Sequence, residues 1–209
     1  MARWWILGGL LGLVLLRLAM RPLLALVFGR EIGRRALARV PATVHLSRRG
    51  DEAWKDPDHA RRIWEPLLAH GFADAGSYGV DEMPGVVMRL LASTAASMLA
   101  VVYEHPRSGQ WLELVTYYTD GRRCSASNLA SPGVETPPFV IMLRAVGAPP
   151  LKLLDLMRHK RPEGAMTPLA AADATRLYER AYAESMAWHQ QHGIGTGEVV
   201  RVAIKRRAA

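Results

Sequence analysis

The apolar residues at the start of the chain form one uninterrupted run. Residues 4–16 read WWILGGLLGLVLL and carry no charge. As a helix this run is about 20 Å long, whereas a bilayer core needs about 30 Å. Apolar residues continue past Arg17 and Arg21 as far as Phe28. We therefore predict a membrane-spanning helix over about residues 3–20, with the remaining apolar residues along the membrane surface.

Aromatic and basic residues flank this predicted span. Arg17 and Arg21 are four residues apart, so they share one helix face and can both extend to the same interface. This placement matters because a central arginine costs about 2.5–3.5 kcal/mol on insertion scales. Trp4 and Trp5 are expected in the aromatic belt at the other interface. The arginines that follow are expected to contact anionic lipid headgroups: Arg30, Arg34, Arg35 and Arg39.

Two other interpretations of this segment stay open. A cleavable signal peptide also has a basic start and a short apolar run. The residues after Leu16 read RLAMRPLL, however, with arginine where a cleavage region needs small neutral residues. The other alternative is a helix that lies in the membrane interface or in a protein core. We favour a single-pass anchor over both.

The same arginines predict an orientation. Arg3 precedes the predicted span, whereas six arginines lie between residues 17 and 39. The positive-inside rule places the more basic side in the cytoplasm. The one cysteine, Cys124, agrees with that compartment because it cannot form an intramolecular disulfide. We expect a protein of the inner (plasma) membrane with its body in the cytoplasm.

Beyond residue 40 the pattern changes to short apolar segments separated by turns. Asp56 and Pro57 are a helix-start signal, and the spacing of apolar residues predicts a helix over 57–70, with a kink or break at Pro66. Asp120-Gly121 is a hairpin signal. The other predicted elements are strands at 42–46, 86–91, 98–104, 111–119, 123–127 and 139–146, helices at 151–159 and 167–192, and a possible strand at 199–204.

This order of elements predicts an α+β fold. Between the helix at 57–70 and the helix at 151–159 we expect four to five strands in an antiparallel β-meander, packed with about three helices that cover one face. The chain then divides into three parts. Residues 1–39 are the membrane anchor with its basic juxtamembrane segment, residues 40–204 are a cytoplasmic α+β domain, and residues 205–209 are a basic tail.

The distribution of charge argues against nucleic acid as a partner. The chain has 27 Lys+Arg against 19 Asp+Glu, a net charge of +8. Residues 1–39 alone carry +6, however, and residues 40–204 carry −1. The body therefore has no excess of cations to neutralise phosphates. Arginine outnumbers lysine, 23 to 4, which we interpret as the composition of a GC-rich bacterial genome.

Two groups of residues are candidates for acid–base or nucleophilic chemistry. Glu104 and His105 place a carboxylate beside an imidazole at the end of a predicted strand, although neighbours in a strand point to opposite faces. Cys124 follows Arg122 and Arg123, which would lower the pKa of a thiol. None of these residues matches a catalytic signature, and a structural role is the interpretation we favour for all of them.

Two further patterns are candidates for ligand sites. His189 and His192 have the i, i+3 spacing of metal ligands on a helix, but no carboxylate completes the set. The aromatic residues of the predicted meander either line a pocket between sheet and helices or belong to the core, and we favour the core. These residues are Tyr78, Tyr103, Trp111, Tyr117 and Tyr118.

The sequence therefore predicts a single-pass membrane-anchored protein whose body is a non-enzymatic binding or scaffolding module. Its expected partners are a bilayer with anionic headgroups and, as a further candidate, a membrane protein. We expect neither a metal nor an organic cofactor. The alternative is a membrane-tethered enzyme with a pocket between the meander and the helices, for which Glu104, His105 and Cys124 are the first candidates.

Overall fold

The computed structural model describes residues 31, 33–35, 37–131, 134–193, 195 and 198. The chain divides into two units. One unit comprises Pro41–Ser131 and Thr136–Ala187 and contains the whole β-sheet. The other contains the described residues among 1–40, 132–135 and 188–209. In this second unit residues 31, 33–35 and 37 are helical.

Seven strands form one sheet and lie side by side in the order in which they occur along the chain. The first six are antiparallel to their neighbours. The last strand is parallel to the sixth. The strands are β1 (Leu46–Arg49), β2 (Ala73–Val80), β3 (Val87–Ser93), β4 (Met98–His105), β5 (Gly109–Tyr117), β6 (Arg123–Ser127) and β7 (Val140–Arg144).

The α+β class is confirmed, but the predicted sheet was too small and its direction was partly wrong. The sheet has seven strands, whereas four to five antiparallel strands were expected, and β7 runs parallel to β6. A parallel neighbour needs a connection of about a dozen residues or more, and residues 128–139 between β6 and β7 supply that length. The strand expected at 42–46 begins only at Leu46.

The strand that sequence patterning missed is β2. Its sequence, ADAGSYGV, contains two glycines, which are typical of turns rather than strands. The register between β2 and β3 shifts between Asp74 and Gly76, and Gly76 has a φ of +111°, a conformation that glycine adopts at little cost. Strand β2 therefore forms because β1 and β3 supply hydrogen-bond partners on both sides, in spite of its weak intrinsic preference.

Three helices flank the sheet: α1 (Pro57–Ala69), α2 (Pro150–Lys160) and α3 (Ala174–His192). Helix α1 begins as predicted, because the Asp56 side chain accepts a 2.9 Å hydrogen bond from the backbone N–H of His59. Pro66 does not break the helix, since it lies in the last turn, where it removes one hydrogen bond. Helix α3 begins later than predicted, at Ala174, after a short 3-10 turn over Ala171–Asp173.

The helices cover both faces of the sheet rather than the one face we predicted. Helices α1 and α2 pack on one face, where Leu67 and Leu154 are buried. Helix α3 packs on the other face through Ala174 and Leu177. Strand β4 explains why both faces need a cover, because its consecutive residues 98–102 are almost completely buried. A continuous apolar run of this kind is typical of a strand buried on both sides.

Candidate functional site

The described part of the predicted anchor shows exposed arginines. Arg34 and Arg35 have side chains that are 79% and 75% exposed, and Arg39 is also exposed. None of the helices in the described residues is long and apolar enough to cross a membrane. The remaining residues of the predicted anchor lie outside the described residues: Trp4, Trp5, Arg17, Arg21 and Arg30.

Glu31 forms ion pairs with both of the neighbouring arginines. Its carboxylate lies 2.8 Å from Arg34 Nη2 and 2.7 Å from Arg35 Nε, the i, i+3 and i, i+4 spacings at which side chains of one helix face meet. Hydrogen bonds from Arg35 and then Arg34 lower the pKa of Glu31. Exposed pairs of this kind are screened by solvent and add little to stability, so an anionic headgroup can compete with Glu31 for either guanidinium.

Glu104 is a structural acceptor at the start of α1. Its Oε1 accepts a 2.7 Å hydrogen bond from the Lys55 backbone N–H, and its Oε2 accepts a 3.2 Å bond from the N–H of Asp56. The side-chain amide of Gln110 also donates to Oε2. Glu104 is 8% exposed. His105 follows it in β4 and therefore points to the other face, so the two do not form an acid–base pair.

Cys124 lies far from Glu104 although both face α1 and α2. In the sheet register Cys124 is opposite Thr116, whereas Glu104 is opposite Gln110. Six residues along β5 correspond to about 20 Å. The Cys124 Sγ is buried and lies 3.8 Å from the Met157 sulfur. The residues we named first for an enzyme therefore do not converge on one site.

The two arginines that precede Cys124 in the sequence do not lower the pKa of its thiol. Burial raises the pKa of the Cys124 thiol. Because side chains alternate along a strand, Arg123 points to the opposite face, where its Nη1 donates a 2.6 Å hydrogen bond to the Ala181 carbonyl. Arg122 pairs instead with Asp120, with 2.7 Å between Nε and Oδ2.

The two histidines with metal-ligand spacing contact a tryptophan. His192 stacks on Trp188, with 4.4 Å between ring centroids, and His189 meets the same ring edge-on at 5.1 Å. Burial lowers the pKa of His189. Within the part of the chain that the structure describes, no group of three histidine, cysteine or carboxylate side chains is arranged to hold a metal ion.

A different set of residues comes together between the sheet and α3. We call it the Glu113 cluster, centred on the carboxyl group of Glu113. On β5 this residue is opposite Val101 of β4, which packs in the core beneath α3. Tyr103 stacks on Trp111 at 4.5 Å between ring centroids. The members of the Glu113 cluster are Tyr103, Glu113, Tyr117, Ser125 and Tyr178.

Desolvation dominates the electrostatics of this cluster. Burial raises the pKa of Glu113, although a hydrogen bond with the Ser125 side chain opposes the shift. Burial also raises the pKa of Tyr103 well above its usual range, and that of Tyr178 likewise. The two tyrosines share a hydrogen bond and their rings are 6.3 Å apart. Glu113 is nevertheless partly accessible to solvent.

Two arginines act on the carboxyl group of Glu113 from β6 and β7. Arg144 and Arg123 both favour its ionised form, Arg144 more strongly. Ser127 lies opposite both Glu113 and Arg144, so these three residues form a row across the sheet. Their attraction does not overcome the desolvation. A carboxyl group with a raised pKa and a hydroxyl as its hydrogen-bond partner has the properties of a general acid or base.

Sequence reasoning missed Glu113 as a site residue. The signal available was local: Glu113 shares a strand face with Trp111, Val115 and Tyr117, where a single carboxylate interrupts three large apolar side chains. Buried carboxylates are uncommon unless paired. The sequence assigns Tyr103 and Tyr117 to the core, which is right for their rings but does not account for their hydroxyl groups.

Comparisons with known proteins add no relative. The chain matches no known protein family, no curated protein and no solved structure. The function therefore has to be argued from the residues themselves.

Proposed function

We propose that the protein is a single-pass membrane-anchored protein whose α+β domain is a cytoplasmic binding or scaffolding module at the inner-membrane surface. The observation that carries this proposal is the uncharged run at residues 4–16, followed by six arginines up to residue 39. An apolar run with basic residues on one side is the pattern of a membrane segment that obeys the positive-inside rule. The exposure of Arg34, Arg35 and Arg39 is compatible with contact to anionic headgroups.

The described domain has a core of its own. Its sheet is buried on both faces, so the domain needs no metal or disulfide to supply a core. Attachment to a bilayer raises the effective concentration of such a domain toward partners in the same membrane. The partners we propose are anionic lipids at the juxtamembrane arginines and, for the domain, a membrane protein.

The anchor is tested by fractionation of cell membranes with carbonate and then detergent. We expect the full-length protein to stay in the carbonate-washed pellet and to need detergent for release. The double variant Trp4→Asp/Leu10→Asp should appear in the soluble fraction. The matched control is Val146→Asp/Leu151→Asp, since these two side chains are exposed in the folded domain. A variant with both anchor aspartates that stays in the pellet would overturn the proposal.

The orientation is tested by protease access from each side of the membrane. We expect the domain to be digested in inverted vesicles and protected in intact spheroplasts. Changing Arg30, Arg34, Arg35 and Arg39 to glutamine should produce a mixed topology, because these residues dominate the charge difference across the span. Four exposed cations of the domain serve as the control set, also changed to glutamine: Arg61, Arg62, Arg158 and Lys160. Digestion from the outside of wild-type cells contradicts the orientation.

The Glu113 cluster favours a second candidate function, a membrane-tethered enzyme. It lies between the sheet and α3, where the alternative placed a pocket, and Glu113 combines partial exposure with a raised pKa. A panel of p-nitrophenyl esters, phosphates and glycosides provides the test. Turnover that is lost in Glu113→Gln but retained in the exposed control Glu65→Gln favours the enzyme. Turnover that Glu113→Gln leaves intact, or no turnover of any substrate, favours the binding module.

A further inference from the structure

Residues 41–47, which lead into the sheet, are held by side chains from two other elements. Tyr182 of α3 donates a 2.9 Å hydrogen bond from its hydroxyl to the Pro41 carbonyl. Glu179 of the same helix accepts a 2.8 Å bond from the Leu46 backbone N–H. Between these contacts Val44 is 3% exposed. The segment is therefore attached to the domain before β1 begins.

The turn between β2 and β3 holds the same segment from another direction. Glu82 accepts a 2.9 Å hydrogen bond from the His45 backbone N–H through Oε2, and its Oε1 pairs with His45 Nδ1. The backbone N–H of Asp81 donates to the His45 carbonyl at 3.1 Å. The Ser47 hydroxyl donates to the Asp81 carboxylate at 2.6 Å. One glutamate thus binds both the backbone and the ring of His45.

The groups around His45 make the ring pair sensitive to protonation. Carboxylates face the imidazole from both elements: Glu82 and Asp81 from the turn, and Glu179 from α3. The hydrogen bond with Glu82 is the main cause of a raised pKa at His45, and the same bond lowers the pKa of Glu82. Burial raises the pKa of Tyr182 to about 12, so its hydroxyl remains a donor throughout the range in which His45 titrates.

We propose that His45 and Glu82 form a pH-dependent clamp on residues 41–47. The clamp is closed when the imidazolium donates from Nδ1 to the Glu82 carboxylate. Loss of one proton from the ring to water leaves a neutral imidazole among three carboxylates. The neutral ring can still donate from Nδ1, but the ionic attraction to the Glu82 carboxylate is lost. The hydrogen bonds that remain then hold the segment less tightly.

The direction of the effect follows from linkage. Because the folded protein raises the pKa of His45, the clamp contributes stability below the ordinary histidine pKa, and this contribution is lost as the pH rises through the folded value. The lowered pKa of Glu82 means that the clamp is also lost when acid protonates this carboxylate. The segment is therefore most tightly held between the two transitions.

The contacts of the clamp do not depend on the proposed membrane anchor. If the anchor exists, however, the state of the clamp affects how the domain is attached to it. If residues 1–39 hold the chain in a bilayer, then residues 41–47 connect that anchor to the domain. Loosening this segment would give the domain more freedom relative to the membrane surface. The experiment below reads the segment itself and succeeds or fails whether or not the anchor exists.

Hydrogen exchange followed by mass spectrometry tests the clamp in the full-length protein in mild detergent, a medium that does not require insertion into a bilayer. The readout is the protection of the peptide that covers residues 43–47 between pH 5.5 and 8.5, corrected for the intrinsic pH dependence of exchange. We expect protection to fall about two- to fivefold over this range, the effect typical of an exposed ion pair. His45→Gln keeps a side-chain donor but does not titrate, so the fall should disappear.

Two further variants separate the clamp from general effects of pH. Glu82→Gln should also abolish the pH dependence and should lower the pKa of His45, measured by NMR on labelled histidine, toward its ordinary value. His159→Gln is the matched control, because His159 is exposed and its Nδ1 pairs with a backbone carbonyl of its own helix. It should retain the wild-type fall. Protection that is constant with pH in wild type, or that falls equally in His45→Gln, overturns the proposal.

Discussion

Arg123 on β6 and Ser185 on α3 are joined by a hydrogen bond of 2.9 Å from Nη2 to the serine hydroxyl. The same guanidinium donates from Nη1 to the Ala181 carbonyl at 2.6 Å and lies over the ring of Phe139. Arg123 is 5% exposed. The buried guanidinium of Arg123 thus links the sheet to α3 through two hydrogen bonds.

Removing this connection should destabilise the domain strongly. We expect Arg123→Met to lower the free energy of unfolding by about 2–4 kcal/mol, because its partners on α3 lose charge-assisted hydrogen bonds. Urea unfolding of the full-length protein in mild detergent, followed by tryptophan fluorescence, measures the loss. Arg122→Met is the control, since Arg122 forms an exposed pair with Asp120, and exposed pairs add little to stability. Equal losses in the two variants would contradict the buried connection.

The packing of α2 gives a prediction with a control on the same helix. Leu154 is 1% exposed in the core beneath α2, whereas Leu151 at the start of that helix is 37% exposed. We expect Leu154→Ala to cost about 2–5 kcal/mol of unfolding free energy through lost contacts and the cavity that remains. Leu151→Ala should change it by no more than about 0.5 kcal/mol. A small effect at Leu154 would show that α2 does not pack as described.

Cys124 should be unreactive in the folded protein. The thiol is completely buried and its pKa is raised, and both conditions suppress the reactive thiolate. We expect iodoacetamide to modify it at least about a hundredfold more slowly in the native protein than in 6 M urea, since modification then requires opening of the structure. Cysteine is absent elsewhere in the chain, so the total modification reports this residue alone. Rapid native modification would place the thiol at the surface.

The sequence predicted those elements whose signals are local. Helix α1 was predicted to within one residue, because Asp56 and Pro57 fix its start and Gly71, with a φ of +85°, follows its end. Strand β6 was predicted with the correct bounds, 123–127, between a hairpin turn and a proline-rich loop. Strand β2 was missed because its glycines oppose a strand, and only pairing with β1 and β3 overrides them.

The candidate site was harder to predict for a related reason. The Glu113 cluster takes its members from β4, β5, β6 and α3, and nothing in the spacing of these residues along the chain indicates that they meet. The prediction that helices cover one face placed α3 wrongly, so no packing partner was assigned to the face that carries Glu113. By contrast, Glu104 and His105 are adjacent in sequence, yet the alternation of a strand separates their side chains.

Glu113 gives a prediction in which the sign of the pH effect is diagnostic. Burial raises the pKa of this carboxyl in the folded state, so the folded protein holds its proton more tightly than the unfolded chain. The stability of the wild-type protein should therefore fall as the pH rises from the ordinary glutamate pKa through the folded value. Above that range the carboxylate is ionised in a poorly solvated site, and the full desolvation cost lowers the free energy of unfolding.

Glutamine at this position keeps the shape and the hydrogen-bonding capacity toward Ser125 but cannot ionise. Glu113→Gln should therefore match wild type at pH 4 and exceed it at pH 8 by up to about 2 kcal/mol, the range of single stabilising substitutions. Urea unfolding at each pH measures the difference. Glu65→Gln, on the exposed face of α1, should show no such trend. A gain that is larger at pH 4 than at pH 8 would mean that Arg123 and Arg144 outweigh desolvation, so that Glu113 is an ordinary ion-paired carboxylate and not a candidate acid or base.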